Sequence, residues 1–257
     1  MQPMNASKWV GCLNEVDEAK ARLVCFTYEG GSSKYYSSWV PFLRSGVELL
    51  TITLPGREDR VQEPLPQSVE EIVDGLISES ATFFEKPFIV FGHGLGAILA
   101  YETVCKLARL DWLLPKRLIV SGCQAPVDDG SYFPKMSHLD DQDFFEDLVG
   151  DDCLGQEVLA TPEAISGRLP VIRSDFLLKE SYRPTTDQVL NIPVDVFAGS
   201  RDQIPLGNLL DWQKVSRHQV HVCVFKGGHF FIEEDQQSLL HHVNELFNEI
   251  IVSGAYA

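Results

Sequence analysis

The chain has 257 residues, of which 44% are hydrophobic and 23% charged, and its formal net charge is -16. That length suits one α/β domain with a substantial core. The acidic balance, with no basic stripe to offset it, argues against nucleic-acid binding. No apolar run reaches the ~18 residues that a membrane span needs.

The start of the chain and its cysteines point to a reducing compartment. The first ten residues have no apolar run behind a basic flank, so we expect no signal peptide. Six cysteines are scattered without C-x-x-C or zinc spacing, and we therefore expect reduced thiols, no metal and a cytoplasmic location. Three acid pairs lack the alternating spacing of a calcium loop and are more typical of solvated loops or helix starts. They are Asp128/Asp129, Asp140/Asp141 and Asp151/Asp152.

Six short runs rich in valine, isoleucine and phenylalanine alternate with helical patterns. Continuous apolar runs of this kind are typical of parallel strands buried on both faces. The predicted strands are residues 22–27, 48–54, 87–91, 117–121, 194–198 and 221–225. They indicate an α/β fold with a mostly parallel central sheet flanked by helices.

The helical patterns divide the chain into a core and an insertion. Ser68 and Glu71 form an S-x-x-E capping box before apolar helical spacing that runs to Phe84, and a C-terminal helix is predicted at about 235–251. Between the fourth and fifth strands there is no β run, and helical stretches at 140–149 and 162–181 predict a lid. The predicted division is a first core part at 1–127, a helical lid insertion at 128–190 and a second core part at 191–257.

Gly92, Gly94 and Gly96 follow the third predicted strand directly and precede a helical stretch. This is the setting of the G-x-S-x-G nucleophile elbow, but glycine stands at the serine position. The turn places the N–H of Leu95 at a helix N-terminus, where it can bind an oxyanion. The same residues through Ala97 fit the dinucleotide fingerprint G-x-G-x-x-A. That fingerprint requires an acid ~20 residues on, at the end of the next strand, where the sequence has none.

An acid and a histidine follow the last two predicted strands. Asp202 comes after the strand at 194–198, and His229 lies on a glycine-rich loop after the strand at 221–225. The order nucleophile, acid, histidine is that of α/β-hydrolases. Taken alone, Asp202 could be a turn cap and His229 a loop residue. At successive strand ends, the pattern favours an acid that orients a general base.

Five segments carry a resemblance that spans nearly the whole chain. They are residues 26–32 with Trp39, Leu-Pro-Gly-Arg-Glu at 54–58, Gly-His-Gly-Leu-Gly at 92–96, residues 169–175 with Tyr182, and Gly-Gly-His-Phe-Phe at 227–231. Together they resemble the type II thioesterase family of the α/β-hydrolase superfamily. That family includes the oleoyl-acyl-carrier-protein hydrolases and the editing thioesterases of polyketide and nonribosomal peptide synthesis.

The resemblance implies hydrolysis of an acyl thioester on the phosphopantetheine arm of an acyl or peptidyl carrier protein, without a cofactor. It assigns the acid and base roles to Asp202 and His229, and the oxyanion hole to the backbone N–H groups of Glu29 and Leu95. Glu29 departs from the small residue expected there, and we expect its carboxylate to point away from the hole. Four lid residues would line the acyl path, although helix packing explains each equally well: Phe144, Phe145, Leu148 and Phe176.

The expected partner interactions follow from the same resemblance and from the charge. We expect a monomer that binds a carrier protein but neither nucleic acid nor membrane. Carrier proteins are usually acidic, so long-range steering toward this acidic chain is unfavourable and docking would need apolar contact or local cations. The available cations are Arg57, Arg60, Lys116, Arg117, Arg168 and Arg173.

Gly94 is the departure that bears most on function. Removal of a triad serine lowers kcat on the order of 10⁶-fold, so the chain is expected to be inactive as written. The otherwise intact motifs favour an altered or variant form of an active thioesterase. The alternative is a natural non-catalytic member that binds an acyl group or carrier protein, since glycine adopts the strained elbow conformation freely. A small-molecule esterase or lipase is a third option, which nothing at 54–58 supports.

Overall fold

A seven-stranded, mostly parallel sheet forms the centre of the computed structural model, which describes residues 7–79, 81–127, 135–150, 154–155, 162–184 and 188–254. The strands lie in the order β1-β3-β2-β4-β5-β6-β7, and only β1 is antiparallel to its neighbour. Their bounds are β1 Val10–Cys12, β2 Ala21–Phe26, β3 Val47–Ile52, β4 Phe88–His93, β5 Arg117–Ser121, β6 Val194–Gly199 and β7 His221–Phe225.

The six predicted strands are confirmed with small shifts at their ends, and two features differ from expectation. β1 was not predicted, because three residues that include Gly11 are too short to show an alternating pattern. β7 was predicted to be buried on both faces, and this is wrong. It is the outermost strand, and the side chain of Val224 is 62% exposed.

Helices cover both faces of the sheet. They are α1 Val69–Glu79, α2 Leu95–Arg109, α3 Asp141–Gly150, α4 Pro162–Ser181, α5 Leu206–Leu210, α6 Phe231–Glu234 and α7 Gln236–Gly254. Short 3₁₀ helices occur at Ser33–Phe42, Glu58–Arg60, Ala81–Phe84 and Asp211–Val215. Alternate residues of β4 enter two apolar clusters: Phe88 and Val90 pack with α1 and α2, and Ile89 and Phe91 pack with α7.

Helix α1 begins where the capping signal predicts. The Ser68 hydroxyl accepts a hydrogen bond from the Glu71 N–H at 3.1 Å, while the Glu71 carboxylate accepts one from the Gln67 N–H at 2.8 Å. The helix ends at Glu79, earlier than the apolar spacing predicted. Phe84 belongs to the following 3₁₀ turn and is buried there.

Two helices, α3 and α4, lie between β5 and β6, where the helical insertion was predicted. The predicted boundary at residue 128 and the acid pairs Asp128/Asp129 and Asp151/Asp152 lie outside the described residues. The Asp140 carboxylate caps α3 by accepting hydrogen bonds from the N–H groups of Gln142 and Asp143, both at 3.0 Å. Each helix in the described ranges is too short or too polar to cross a bilayer.

Candidate active site

The elbow lies between the end of β4 and the start of α2. Gly94 has φ 55° and ψ -122°, a conformation that strains any residue with a side chain. A Cβ on Gly96 would lie 2.6 Å from the Thr27 backbone oxygen, so the packing of α2 against β2 also requires glycine there. The local geometry is therefore that of a nucleophile elbow, with no side chain at its centre.

Asp202 and His229 meet at the carboxyl edge of the sheet, as predicted from their order. The Nδ1 atom of His229 lies 3.1 Å from Oδ2 of Asp202. Burial would raise the pKa of Asp202, but the hydrogen bond and charge of His229 and the N–H of Ile204 lower it below its usual value. The carboxylate is thus ionised and holds Nδ1, which leaves Nε2 as the nitrogen able to exchange a proton with a ligand.

His93 packs directly beside His229. The two ring centroids are 4.9 Å apart, and Nδ1 of His93 lies 2.9 Å from the Ser121 hydroxyl. Burial lowers the pKa of His93 well below its ordinary value, and positive charge on His229 or Lys179 lowers it further. His93 is therefore neutral, and it supports the His229 ring by contact. Sequence reasoning gave His93 no role.

The Glu29 side chain points into the elbow, so the expectation that it points away is wrong. Its side chain is nearly fully buried, and its Oε2 accepts a hydrogen bond from the Leu95 N–H at 3.1 Å. A Cβ on Gly94 would lie 3.2 Å from Glu29 Cδ, 3.3 Å from Oε1 and nearer still to Oε2. The carboxylate fills the space that a serine side chain would need.

Lys179 on α4 provides the counterion for Glu29. Its ammonium forms a buried ion pair with Glu29 Oε1, and the two side chains are 13% and 5% exposed. Burial would raise the pKa of Glu29, but the Lys179 charge and hydrogen bond and the backbone N–H groups of Leu95 and Glu29 lower it. Both N–H groups predicted to form the oxyanion hole therefore serve an internal, ionised carboxylate.

A second buried ion pair joins α4 to the loop after β3, and the same carboxylate also binds the loop that carries Glu29. The Arg57 guanidinium donates to both Asp175 carboxylate oxygens, at 3.0 and 2.7 Å, and the Gly30 N–H donates to Oδ2 at 2.8 Å. Asp175 and Lys179 are four residues apart, so they share one face of the helix. Helix α4 is thus fixed to the loop at two adjacent residues, Glu29 and Gly30.

Lys179, like His93, is a site residue that sequence reasoning missed. The segment at 169–175 was recognised, and the helical spacing of four from Asp175 was the signal that could have identified it. Two serines beside the loop that carries Glu29 have hydroxyls engaged in local hydrogen bonds. The Ser33 hydroxyl donates to Glu58 Oε2 at 2.7 Å, and the Ser32 hydroxyl accepts from the Lys34 N–H.

The four lid residues predicted to line the acyl path pack in the apolar cluster that also contains Ile89, Phe91 and α7. Phe144 and Leu148 are fully buried, and Phe145 is partly buried against the same cluster. The rings of Phe144 and Phe176 meet edge to face at 5.7 Å, and the Arg173 guanidinium lies 4.2 Å above the Phe144 ring. These contacts are those of helix packing, and contact with an acyl chain stays a prediction.

Most of the cations suggested for docking have partners within the chain. Arg57 is buried against Asp175, and Arg60 is buried, with Glu63 as its partner. Arg117 pairs with Asp195 and Glu249, and Arg173 pairs with Asp141. Buried cations such as Arg57 and Arg60 are not available to a partner protein.

Comparison with known proteins agrees with this architecture. A family model described as the thioesterase domain matches residues 21–247. Thioesterase PikA5 of Streptomyces venezuelae is 29% identical over 250 residues, which cover 95% of this chain and 88% of the relative. Gramicidin S biosynthesis protein GrsT of Aneurinibacillus migulanus is 29% identical over 237 residues, 91% of each. The crystal structure of ClbQ from the colibactin NRPS/PKS pathway has a TM-score of 0.84 at 26% identity, covering 91% of this chain and 99% of that one.

Proposed function

Because the chain belongs to the thioesterase family and has the α/β-hydrolase fold, we propose that it binds acyl thioesters without hydrolysing them by serine chemistry. The ligand class is an acyl group on the phosphopantetheine arm of an acyl or peptidyl carrier protein. Relatives named for gramicidin S biosynthesis and for an NRPS/PKS pathway support this choice, since such systems carry their intermediates in that form.

The observation that carries the proposal is which groups are present and absent at the elbow. Gly94 brings no hydroxyl, and Glu29 takes the hydrogen bond that the Leu95 N–H would give to an oxyanion. Loss of the serine alone costs on the order of 10⁶-fold in kcat. Loss of one oxyanion donor costs a further ~10²–10³-fold where it has been measured. A thioester bound at this elbow is therefore neither attacked by a serine nor polarised by the hole.

The experiment measures binding and turnover on the same chain. An acyl-pantetheine amide, which cannot be hydrolysed, is titrated into the protein by calorimetry, with pantetheine lacking the acyl group as the matched control. The corresponding acyl thioester is then incubated with the protein and followed by mass spectrometry. We expect saturable binding that needs the acyl group, and release of free acid no faster than without protein. Release of acid above that background, or no binding, contradicts the proposal.

A second function, hydrolysis by a serine at position 94, is favoured by a different observation. His229 and Asp202 keep the 3.1 Å contact that a working acid–base pair needs, although Gly94 leaves them nothing to activate. An active enzyme whose serine has been replaced would have this arrangement. The codon at position 94 in the gene tests this directly. A serine codon there supports this second function, and a glycine codon excludes it.

A further inference from the structure

We infer that Gly94, Glu29 and Lys179 form one interdependent set, in which the Glu29 carboxylate takes the place of both the serine side chain and the oxyanion. A serine at position 94 would then react only after Glu29 has been withdrawn. The inference deepens the proposed function, because it identifies what keeps the elbow from attacking a bound thioester.

The first step is steric. A Cβ on Gly94 would lie 3.2 Å from Glu29 Cδ and closer to Oε2 than real Cβ contacts occur. A serine carries this Cβ whichever rotamer its hydroxyl adopts. A carboxylate at the end of a flexible side chain could in principle move away. Whether Glu29 can move therefore decides whether a serine can be accommodated.

The second step concerns what holds Glu29. Its carboxylate is ionised and buried, with the Leu95 N–H on one oxygen and the Lys179 ammonium on the other. The Leu95 N–H lies in the first turn of α2, where the helix dipole also favours an anion. Rotation of Glu29 away from the elbow would separate buried opposite charges, and each would then lack its partner. The carboxylate is thus fixed by three favourable interactions.

The third step is electrostatic. Attack on a thioester places a negative charge on the carbonyl oxygen, and the hole normally stabilises that charge through its N–H groups. Here the N–H of Leu95 already binds the Glu29 carboxylate. A second negative charge beside the first is repelled rather than stabilised. Even if a serine fitted, the oxyanion hole would already hold the negative charge of Glu29.

Labelling by a fluorophosphonate probe tests whether Gly94, Glu29 and Lys179 depend on one another, and it needs no acyl substrate. In the reaction the serine oxygen bonds to phosphorus, its proton passes to His229 and fluoride leaves, so labelling reports an activated serine with an open hole. Three variants are compared: Gly94→Ser alone, Glu29→Ala/Lys179→Met without serine, and the combination of all three changes. We expect the combined variant to label at least about 100-fold faster than Gly94→Ser alone, by the cost of a lost oxyanion donor.

A matched control removes another buried ion pair. Arg22 and Glu48 form a contact of 2.8 Å with side chains 7% and 9% exposed, and Arg22 lies near the start of β2, at the opposite end of that strand from the elbow. Gly94→Ser with Arg22→Met/Glu48→Leu should label no faster than Gly94→Ser alone. Equal acceleration by both pair removals would mean that general loosening frees the serine, and would overturn the inference.

A further variant covers the case in which the combined variant does not fold. Glu29→Asp/Gly94→Ser keeps a negative charge for Lys179 but shortens the side chain by one methylene, and we expect it to label faster than Gly94→Ser. Gly94→Ser labelling as fast as the folded variants that lack or shorten Glu29 would overturn the inference. That result would not affect the proposed binding of acyl thioesters by the unaltered chain, because calorimetry measures that binding separately.

Discussion

The two halves of the candidate site are built in different ways. In the acid–histidine half, Asp202 and His229 keep the contact of a triad, and the His229 ring remains 21% exposed to a ligand. In the nucleophile half, Gly94 has no side chain, and Glu29 and Lys179 fill the neighbouring space as a buried ion pair. One half keeps the arrangement needed for chemistry, while the other is arranged as part of the protein's interior.

The difference teaches that an elbow without a nucleophile side chain need not contain a gap. The Leu95 N–H is an orphan donor at a helix N-terminus, and such donors require a partner when they are buried. In an oxyanion hole that is open to substrate the partner is water or substrate, whereas here it is Glu29. We therefore expect the nucleophile half to contribute to stability and the acid–histidine half to contribute only to catalysis once a serine is supplied.

The largest expected effect tests whether the acid–histidine half can still work. In the variant combining Gly94→Ser with Glu29→Ala/Lys179→Met, adding His229→Ala should lower acyl-thioester hydrolysis on the order of 10⁶-fold, to the background rate. The measurement is single-turnover release of acid. Unchanged hydrolysis after His229→Ala would show that this half has lost its function as well.

The next effect concerns the stability of the nucleophile half. Lys179→Met leaves the Glu29 carboxylate buried without its counterion and should lower the free energy of unfolding by about 3–5 kcal/mol. Adding Glu29→Leu should recover most of that loss, because no unpaired buried charge remains. Urea unfolding measures both. The control is Lys214→Met, which removes an exposed pair with Asp211 and should change stability by less than about 1 kcal/mol.

A third effect is the pH dependence of the stability that the Glu29–Lys179 pair contributes. The pKa of Glu29 is lowered in the folded chain, so the unfolded chain binds more protons in acid and stability falls as the pH decreases. The contribution is complete above the ordinary glutamate pKa of about 4.3 and is lost as the pH falls through the lowered folded value. Unfolding measured from pH 3 to 8 should show the original chain losing stability relative to Glu29→Leu/Lys179→Met below about pH 4. A relative loss already present between pH 6 and 8 would contradict this assignment.

The smallest expected effect concerns how much the acid–histidine half contributes to stability. Asp202→Asn in the unaltered chain removes a charge but keeps a group able to contact His229, so the free energy of unfolding should change by about 1 kcal/mol or less. Thermal and urea unfolding provide the measurement. A loss as large as that of Lys179→Met would mean that both halves stabilise the fold alike.

The sheet and the order of the triad residues could be predicted from the sequence because both depend on short local patterns. Apolar runs marked β2 to β7, and Asp202 and His229 each follow a strand directly. β1 was not predictable from three residues, and the exposure of β7 depends on its place at the edge of the sheet. Burial of an edge strand is set by neighbours that the strand's own sequence does not contain.

The orientation of Glu29 was not predictable for a similar reason. A motif gives the residue type at a position but not its side-chain direction, which here depends on Lys179, 150 residues away in sequence. Repulsion from a developing oxyanion suggested that the carboxylate would point outward. That reasoning assumed a hole used for catalysis, whereas a buried ammonium and a helix N-terminus make the inward position favourable.

The inward carboxylate also makes each single mutation toward a serine enzyme unfavourable. A glycine-to-serine change at position 94 that arose first would meet Glu29 and gain no activity for selection to retain. A loss of Glu29 that arose first would take the Glu29 carboxylate away from the buried Lys179 ammonium and lower stability. Each path passes through a form that gains no activity or is less stable, so the Glu29–Lys179 pair opposes the acquisition of a serine at position 94 by single mutations.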